Sequence, residues 1–313
     1  MATAPSTMTA KPPRAQKGRW NEQTLTVTLF LLPTFAFLAV FVLWPILSSL
    51  QLSFYRWNGI DPARTFIGLE NWGRLVSDAV FWRALGNNLS VVVLSIVIQL
   101  PVAVLLAVML ERHRTFVGKV LKTIYFFPML MSSVAVGILF KYIYDPNFGL
   151  INETLRRAGL GALAQSWLGD PRFALPAVVL VICWQFIPFY MILFYAALSN
   201  VPGELKDAAR IDGADEGRYY RHIAVPLIMG TVRTAVILSL IGSLKYFDLV
   251  WVMTEGGPNN ASELMATYMY KKAFPSFEVG YGSTVAFAMF AFVLLVSVVA
   301  QTLSRRLDYR RSA

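Results

Sequence analysis

The sequence predicts an all-α membrane protein with six transmembrane helices. Two observations carry that expectation. The 313-residue chain is 56% hydrophobic and only 15% charged, whereas a soluble chain carries about a quarter charged residues. Its uncharged stretches are also long enough, at about 20 residues, to cross the hydrocarbon core of a bilayer as helices.

Residues 1–24, rich in Ala, Pro, Thr and basic residues, read as a disordered tail. Uncharged runs follow at Gln23–Tyr55, Ala84–Leu110, Thr123–Phe140, Phe173–Gly203 and Val279–Ser304. The first is too long for the apolar core of a cleaved signal peptide, so it reads as a retained helix. The third is short and extends to Tyr144 as a span. A further span, fifth in order, runs from Val225 to Met253 despite Arg233, Lys245 and Asp248, because Ile, Leu, Val and Phe dominate it. The expected organisation is a tail over 1–24, one transmembrane bundle over 25–307, and a short end over 308–313. Pro33, Pro45, Pro101, Pro128 and Pro188 fall inside spans, where each removes a backbone hydrogen bond and can bend its helix.

Net charge is +10, but Lys and Arg gather in short segments flanking the apolar runs. That is the pattern of membrane orientation, not of a nucleic-acid face. Lys11, Arg14, Lys17 and Arg19, then Arg112, Arg114, Lys119 and Lys122, then Lys206, Arg210, Arg218 and Arg221, then Arg305, Arg306, Arg310 and Arg311 put sixteen cations on one side. The other side holds ten, over longer loops. Both termini and the segment Val201–Pro226 are therefore expected in the cytoplasm. Cys183 is the one cysteine, so no disulfide within the chain is possible. His113 and His222 lie in polar segments, no Gly-x4-Gly-Lys-Ser/Thr phosphate loop occurs, and no nucleophile–base grouping or metal-ligand spacing appears. The expectation is a protein that is not an enzyme and binds no metal or cofactor of its own.

The segment Val201–Pro226 is charged and helix-favouring between two apolar spans. Glu204, Lys206, Asp207 and Arg210 alternate with Leu205, Ala208, Ala209 and Ile211, which predicts a short helix with a small apolar face. Pro202 suits its start, Asp212-Gly213 its end, and Asp215 and Glu216 the start of a second helix. By periodicity alone this could equally be a solvated loop. The string Asp207-Ala208-Ala209, Asp212-Gly213-Ala214, then Ile223-Ala224-Val225-Pro226, however, resembles the EAA loop of binding-protein-dependent ABC importer permeases. Asp207 stands for Glu and Val225 for Leu, and the spacing from Gly213 to Ile223 is the family's. Gly68-Leu69-Glu70-Asn71-Trp72, Tyr144-Asp145-Pro146 with Gly149-Leu150-Ile151-Asn152, and Thr254-Glu255-Gly256-Gly257-Pro258 resemble outer-loop motifs of the carbohydrate-uptake branch, in the subunit of MalF or UgpA type.

The resemblance implies the ABC importer permease fold and a coupling loop over 201–226. It also implies a second, related permease subunit, a separate ATPase dimer that hydrolyses the ATP, and an extracytoplasmic solute-binding protein docking on the outer loops. The solute would be a sugar, moved by alternating access. Coupling would fall to Glu204, Asp207, Ala208, Ala209, Asp212, Gly213, Ala214, Ile223 and Pro226.

Polar residues at membrane depth are candidates for the solute cavity. In the fifth span these are Ser239, Ser243, Lys245, Tyr246 and Asp248, with Lys245 and Asp248 spaced to pair on one helix face. In the fourth they are Trp184, Gln185 and Tyr190, whose rings and amide suit sugar C–H faces and hydroxyls. Helix packing and interfacial aromatics would explain each residue equally well. The rival readings are an importer for glycerol-3-phosphate or another polyol, an ion-coupled carrier built on Lys245 and Asp248, and a membrane enzyme.

Overall fold

The computed structural model describes residues 19–112 and 116–312. The predicted tail through residue 18, His113 and Arg114 lie outside the described residues. The chain divides into two compact units at Ser48/Ser49. The first contains most of helix α1, Thr24–Leu52, an apolar helix of spanning length. None of its described residues through Ser48 is buried.

The second unit opens with an antiparallel pair, β1 (Tyr55–Arg56) and β2 (Thr65–Phe66), in which Tyr55 faces Phe66. Then come α2 (Glu70–Ser77) and the long α3 (Ala79–Arg112). Asp78 starts α3 by accepting from the Val80 and Phe81 amides, at 2.9 and 3.3 Å, which satisfies two of the helix's open donors. After α4 (Phe116–Leu130), α5 (Ser133–Ile143) and α6 (Leu150–Arg157), the apolar α7 (Ala174–Ser199) runs through the middle of the unit. Fourteen of its residues are buried. The chain ends with α8 (Gly203–Ile211), α9 (Glu216–Leu227), α10 (Met229–Leu244), α11 (Asp248–Thr254), α12 (Met265–Ala273) and α13 (Val279–Ser312).

Among the described residues, four helices are long and apolar enough to span a membrane without interruption, and the count reaches six when each of two bent pairs is one span. The bends correct the sequence expectation. The third span is not one helix to Tyr144: from Lys122 it breaks by 100° between Leu130 and Ser133, just past Pro128. The fifth is not one helix from Val225 to Met253. It bends by 67° between Leu227 and Met229, ends at Leu244, and restarts at Asp248 as α11, which packs against α5 and α7. An acid in the first turn suits the restarted helix.

Prolines are absorbed in two ways. Pro33, Pro128 and Pro188 sit inside α-helical turns. Pro45, Pro101 and Pro226 each follow a five-residue π-helical turn, at Ala39–Leu43, Ser95–Gln99 and Tyr220–Ala224. The wider turn shifts the carbonyl register where proline offers no N–H, so the helix continues past Pro45 and Pro101, whereas after Pro226 it ends at Leu227.

The broken fifth span is closed by an intramembrane amide. Asn88, fully buried in α3, donates from Nδ2 to the carbonyls of Ser243 and Leu244, both at 3.3 Å, and its Oδ1 accepts from the Met265 amide at 2.9 Å. Asn88 and the similarly buried Asn152 are thus structural. We predict that Asn88→Leu, which strands these backbone groups, costs about 3 kcal/mol. It should lower the melting midpoint in detergent, while Ser90→Ala at an exposed position of the same helix should not; an unchanged midpoint for Asn88→Leu would remove its capping role.

Candidate functional site

The loop between α7 and α10 folds as two short helices meeting at a corner. Glu204 lies in the first turn of α8, after Pro202. The helix stops at Gly213, whose φ is +77°. There the Gly213 amide donates to the Arg210 carbonyl at 3.1 Å and the Ala214 amide to the Ala209 carbonyl at 2.9 Å. This paired closure needs a left-handed residue, which glycine supplies at little cost. Asp215 then starts α9, its Oδ1 accepting from the Arg218 amide at 2.7 Å.

The corner is held to the bundle by packing and by charge. Ala209, Tyr219, Tyr220 and Ala224 are buried against the ends of α3 and α7, with Ala214 and Ile223 half-buried beside them. Glu216 collects three cations: Arg112 of α3 at 2.7 Å, Lys206 at 3.4 Å and Arg210 at 3.6 Å. The single apolar face expected from the sequence is thereby divided. Ala209 points inward, while Leu205, Ala208 and Ile211 are exposed, Ile211 at 86%. Glu204, Asp207, Asp212 and Pro226 are exposed as well. The outer surface of α8 is thus a small apolar ridge rimmed by acids. Ile211 is the part of this surface that periodicity underrated.

The candidate cavity residues do not form one site within the chain. Gln185, Tyr190, Ser239 and Ser243 are buried between helices, and Tyr246 is half-buried with its ring 5.7 Å from that of Phe186. The Gln185 amide is committed to the break in the third span, donating to the Met131 carbonyl at 3.1 Å. Trp184, Lys245 and Asp248 are exposed. Lys245 and Asp248 do not share a helix face, because α10 has ended before Lys245 and α11 begins at Asp248. Among the described residues no ion pair joins them.

The loops at residues 56–78 and 254–278 carry two features that sequence reasoning missed. Glu263 is fully buried, 2.5 Å from Lys271 Nζ, and accepts from the Thr267 hydroxyl at 2.6 Å. A side chain at Gly256 would run into the Glu263 carboxylate, so the Gly256-Gly257 turn wraps a buried acid. The separation of eight positions between Glu263 and Lys271 gives no periodic signal of the pair. The second feature is a cavity of about 470 Å³ lined by Trp57, Asp61, Glu70, Arg74, Glu278 and neighbouring residues. Burial works against the Glu278 carboxylate, but hydrogen bonding from Arg74 and the charge of Lys272 outweigh it and hold its carboxyl below the usual range.

A family model described as the binding-protein-dependent transport system inner membrane component matches residues 99–312. The chain belongs to that family. It is an ABC importer permease, a membrane component and not an enzyme. The lactose transport system permease protein LacF of Rhizobium radiobacter is 35% identical over 277 residues, which cover 87% of this chain and 90% of LacF. The diacetylchitobiose uptake system permease protein NgcF of Streptomyces coelicolor is 32% identical over 322 residues, covering 97% and 91%. The fold is similar to a chain of a bacterial ABC transporter involved in the import of alginate, with TM-score 0.80 and 23% identity over 92% of this chain and 98% of that one.

A side chain at Gly213 would meet nothing within 4 Å, so substitutions there act through the backbone. We predict that Gly213→Val, β-branched at positive φ, costs about 1–3 kcal/mol locally and abolishes hydrogen-exchange protection of the Gly213 and Ala214 amides. Gly213→Asn, which tolerates the left-handed region, should keep most of it. Equal protection in both variants would contradict the strained-corner account.

Proposed function

We propose that this chain is the permease subunit of an ATP-driven, binding-protein-dependent importer for a sugar or oligosaccharide, and that the α8–α9 corner is where the ATPase docks. The exposure of Ile211, an apolar side chain at a rigid corner outside the bundle, carries the docking part of this reading. A large apolar residue held in water beside Asp207 and Asp212 fits a groove on a soluble partner. Sugar as the solute is supported by LacF and NgcF, whose names give lactose and diacetylchitobiose uptake and which align along nearly the whole chain.

In this reading the chain forms half of the translocation pathway and a second, related permease forms the other half. An ATPase dimer binds and hydrolyses the ATP, and no cofactor is held by this chain. An extracytoplasmic solute-binding protein docks on the outer loops, around residues 56–83, 145–172 and 254–278. Both termini and the corner lie in the cytoplasm, following the excess of Lys and Arg on that side. Closure of the ATPases on ATP pushes on α8 through Ile211, Ala208 and Leu205. The buried Ala209, Tyr219 and Tyr220 pass the motion to α3 and α7, and the cavity opens outward. The pathway would use the exposed Trp184, Lys245 and Asp248, with the buried polar set giving helix packing. An ion-coupled carrier would need a paired relay, and Lys245 and Asp248 are exposed with no ion pair between them among the described residues.

Purification of the tagged chain in mild detergent should recover a second permease and an ATPase. Ile211→Asp should change the chain's own unfolding free energy by no more than about 0.5 kcal/mol, because its side chain touches little of the bundle, yet lose ATPase co-purification and ATP-dependent sugar uptake by tenfold or more. Retention of both at wild-type levels would remove the docking assignment, and a homogeneous homo-oligomer without nucleotide-dependent partners would remove the importer reading.

A further inference from the structure

Of the nine residues of α8, Ala209 alone is buried. Packing therefore gives this helix one anchor on the bundle. Beside it lies a polar cavity of about 440 Å³, lined by Gly203 and Lys206 of α8, Glu111 and Arg112 of α3, and Tyr219 and Tyr220 of α9. At this cavity α8 and the end of α3 do not meet flush. What joins them there is charge.

Glu216, in the first turn of α9, divides its carboxylate between the two sides. Oε2 faces Nε of Arg112 on α3 at 2.7 Å. Oε1 faces Lys206 at 3.4 Å and Arg210 at 3.6 Å, the two cations of α8. These stand four positions apart, on one face of the helix, so the carboxylate fixes the direction of α8 as well as its place. The Tyr220 hydroxyl donates to Glu111 Oε2 at 3.3 Å, which joins α9 to α3 and leaves α8 out. The pair of Arg218 with Asp215, at 3.6 Å, stays within the start of α9. Neither Glu216 nor Arg112 belongs to the residue string that marks the loop in the sequence. We propose that Glu216 is a positioning residue for coupling: through Arg112 it carries movement of α8 into α3, and so ties ATP hydrolysis to solute movement. The proposal rests on the reading that the ATPase docks on α8. The charges involved are partly exposed, Glu216 at 34% and Arg112 at 46%, and such pairs contribute little to folding. A chain without the link therefore stays folded and keeps its ATPase, but the ATPase turns over without moving solute.

The test uses the assembled complex in proteoliposomes and reads sugar moved per ATP hydrolysed, beside ATPase co-purification and the melting midpoint. Glu216→Gln should keep the ATPase bound and the midpoint unchanged, and lower sugar moved per ATP about fivefold, at the lower end of coupling between sites. Glu216→Asp, which keeps the charge, should restore most of that ratio. Arg112→Gln should match Glu216→Gln, and the double variant should fall no further, whereas independent effects would multiply to about 25-fold. Arg218→Gln, which breaks a pair confined to α9, should leave the ratio at its wild-type value. An unchanged ratio in Glu216→Gln, a multiplied loss in the double variant, or an equal loss in Arg218→Gln would overturn the proposal. So would a midpoint that falls in step with the ratio, the mark of a merely structural residue. Loss of the ATPase from Glu216→Gln would overturn it too, because Glu216 would then belong to the docking seat. Absence of ATP-dependent uptake in the wild type would instead remove the importer reading, so the two failures are separable.

Discussion

Inside a bilayer no water is available to a free carbonyl or amide, and every break in a spanning helix must be closed by the protein itself. That constraint organises this molecule. The third span breaks between Leu130 and Ser133, and the side chain of Gln185 reaches across from α7 to the Met131 carbonyl. The fifth ends at Leu244, and Asn88 reaches from α3 to its last carbonyls and to the Met265 amide that begins α12. One buried amide serves each gap. The two breaks also meet, because α11, which follows the second, packs against α5, which follows the first. The buried cluster of Val136, Leu249, Val250 and Met253 is the result.

The same constraint explains why polar residues at membrane depth are ambiguous evidence for a solute site. Gln185 and Ser243 stand where a sugar-binding reading would want them. Yet Gln185 Nε2 is spent on the Met131 carbonyl, while its Oε1 is buried with no hydrogen-bond partner among the described residues. A polar side chain in lipid is explained first by the backbone it satisfies. The residues left over, Trp184, Lys245 and Asp248, are those exposed on the single chain.

Much of this was legible in the sequence, for reasons of period and punctuation. Long uncharged runs mark the uninterrupted helices because spanning length is a local property. Gly213 marks the corner because a left-handed residue is needed at one position and glycine is there. The breaks were not legible. Residues 245–248 carry two charges in an apolar stretch, which reads equally as a paired helix face or as an interruption, and Asn88, which decides between them, lies more than 150 residues away. Glu263 and Lys271 were missed for the same reason: their pairing depends on how the Gly256-Gly257 turn folds over them, not on their spacing. Ile211 was visible as apolar, but which side of α8 faces the bundle is set by packing of Tyr219 and Tyr220 on α3 and α7.

The corner joins rigidity to exposure. Its hydrogen-bonded closure at Gly213 and its charge cluster on Glu216 fix α8 against α9, and Arg112 ties both to the end of α3. Motion applied at the exposed ridge cannot be absorbed within the corner, so it passes to the helices packed behind it. α9 continues into the spanning α10 across a 67° bend at Ile228. That bend sits two residues past Pro226, where the helix that began at Glu216 ends. If the ATPase docks there as proposed, a rigid corner ending at this bend is the arrangement that would carry its motion into a membrane helix. An apolar groove between α3 and α10 lies along this joint, with Val225 and Met229, on either side of the bend, in its wall.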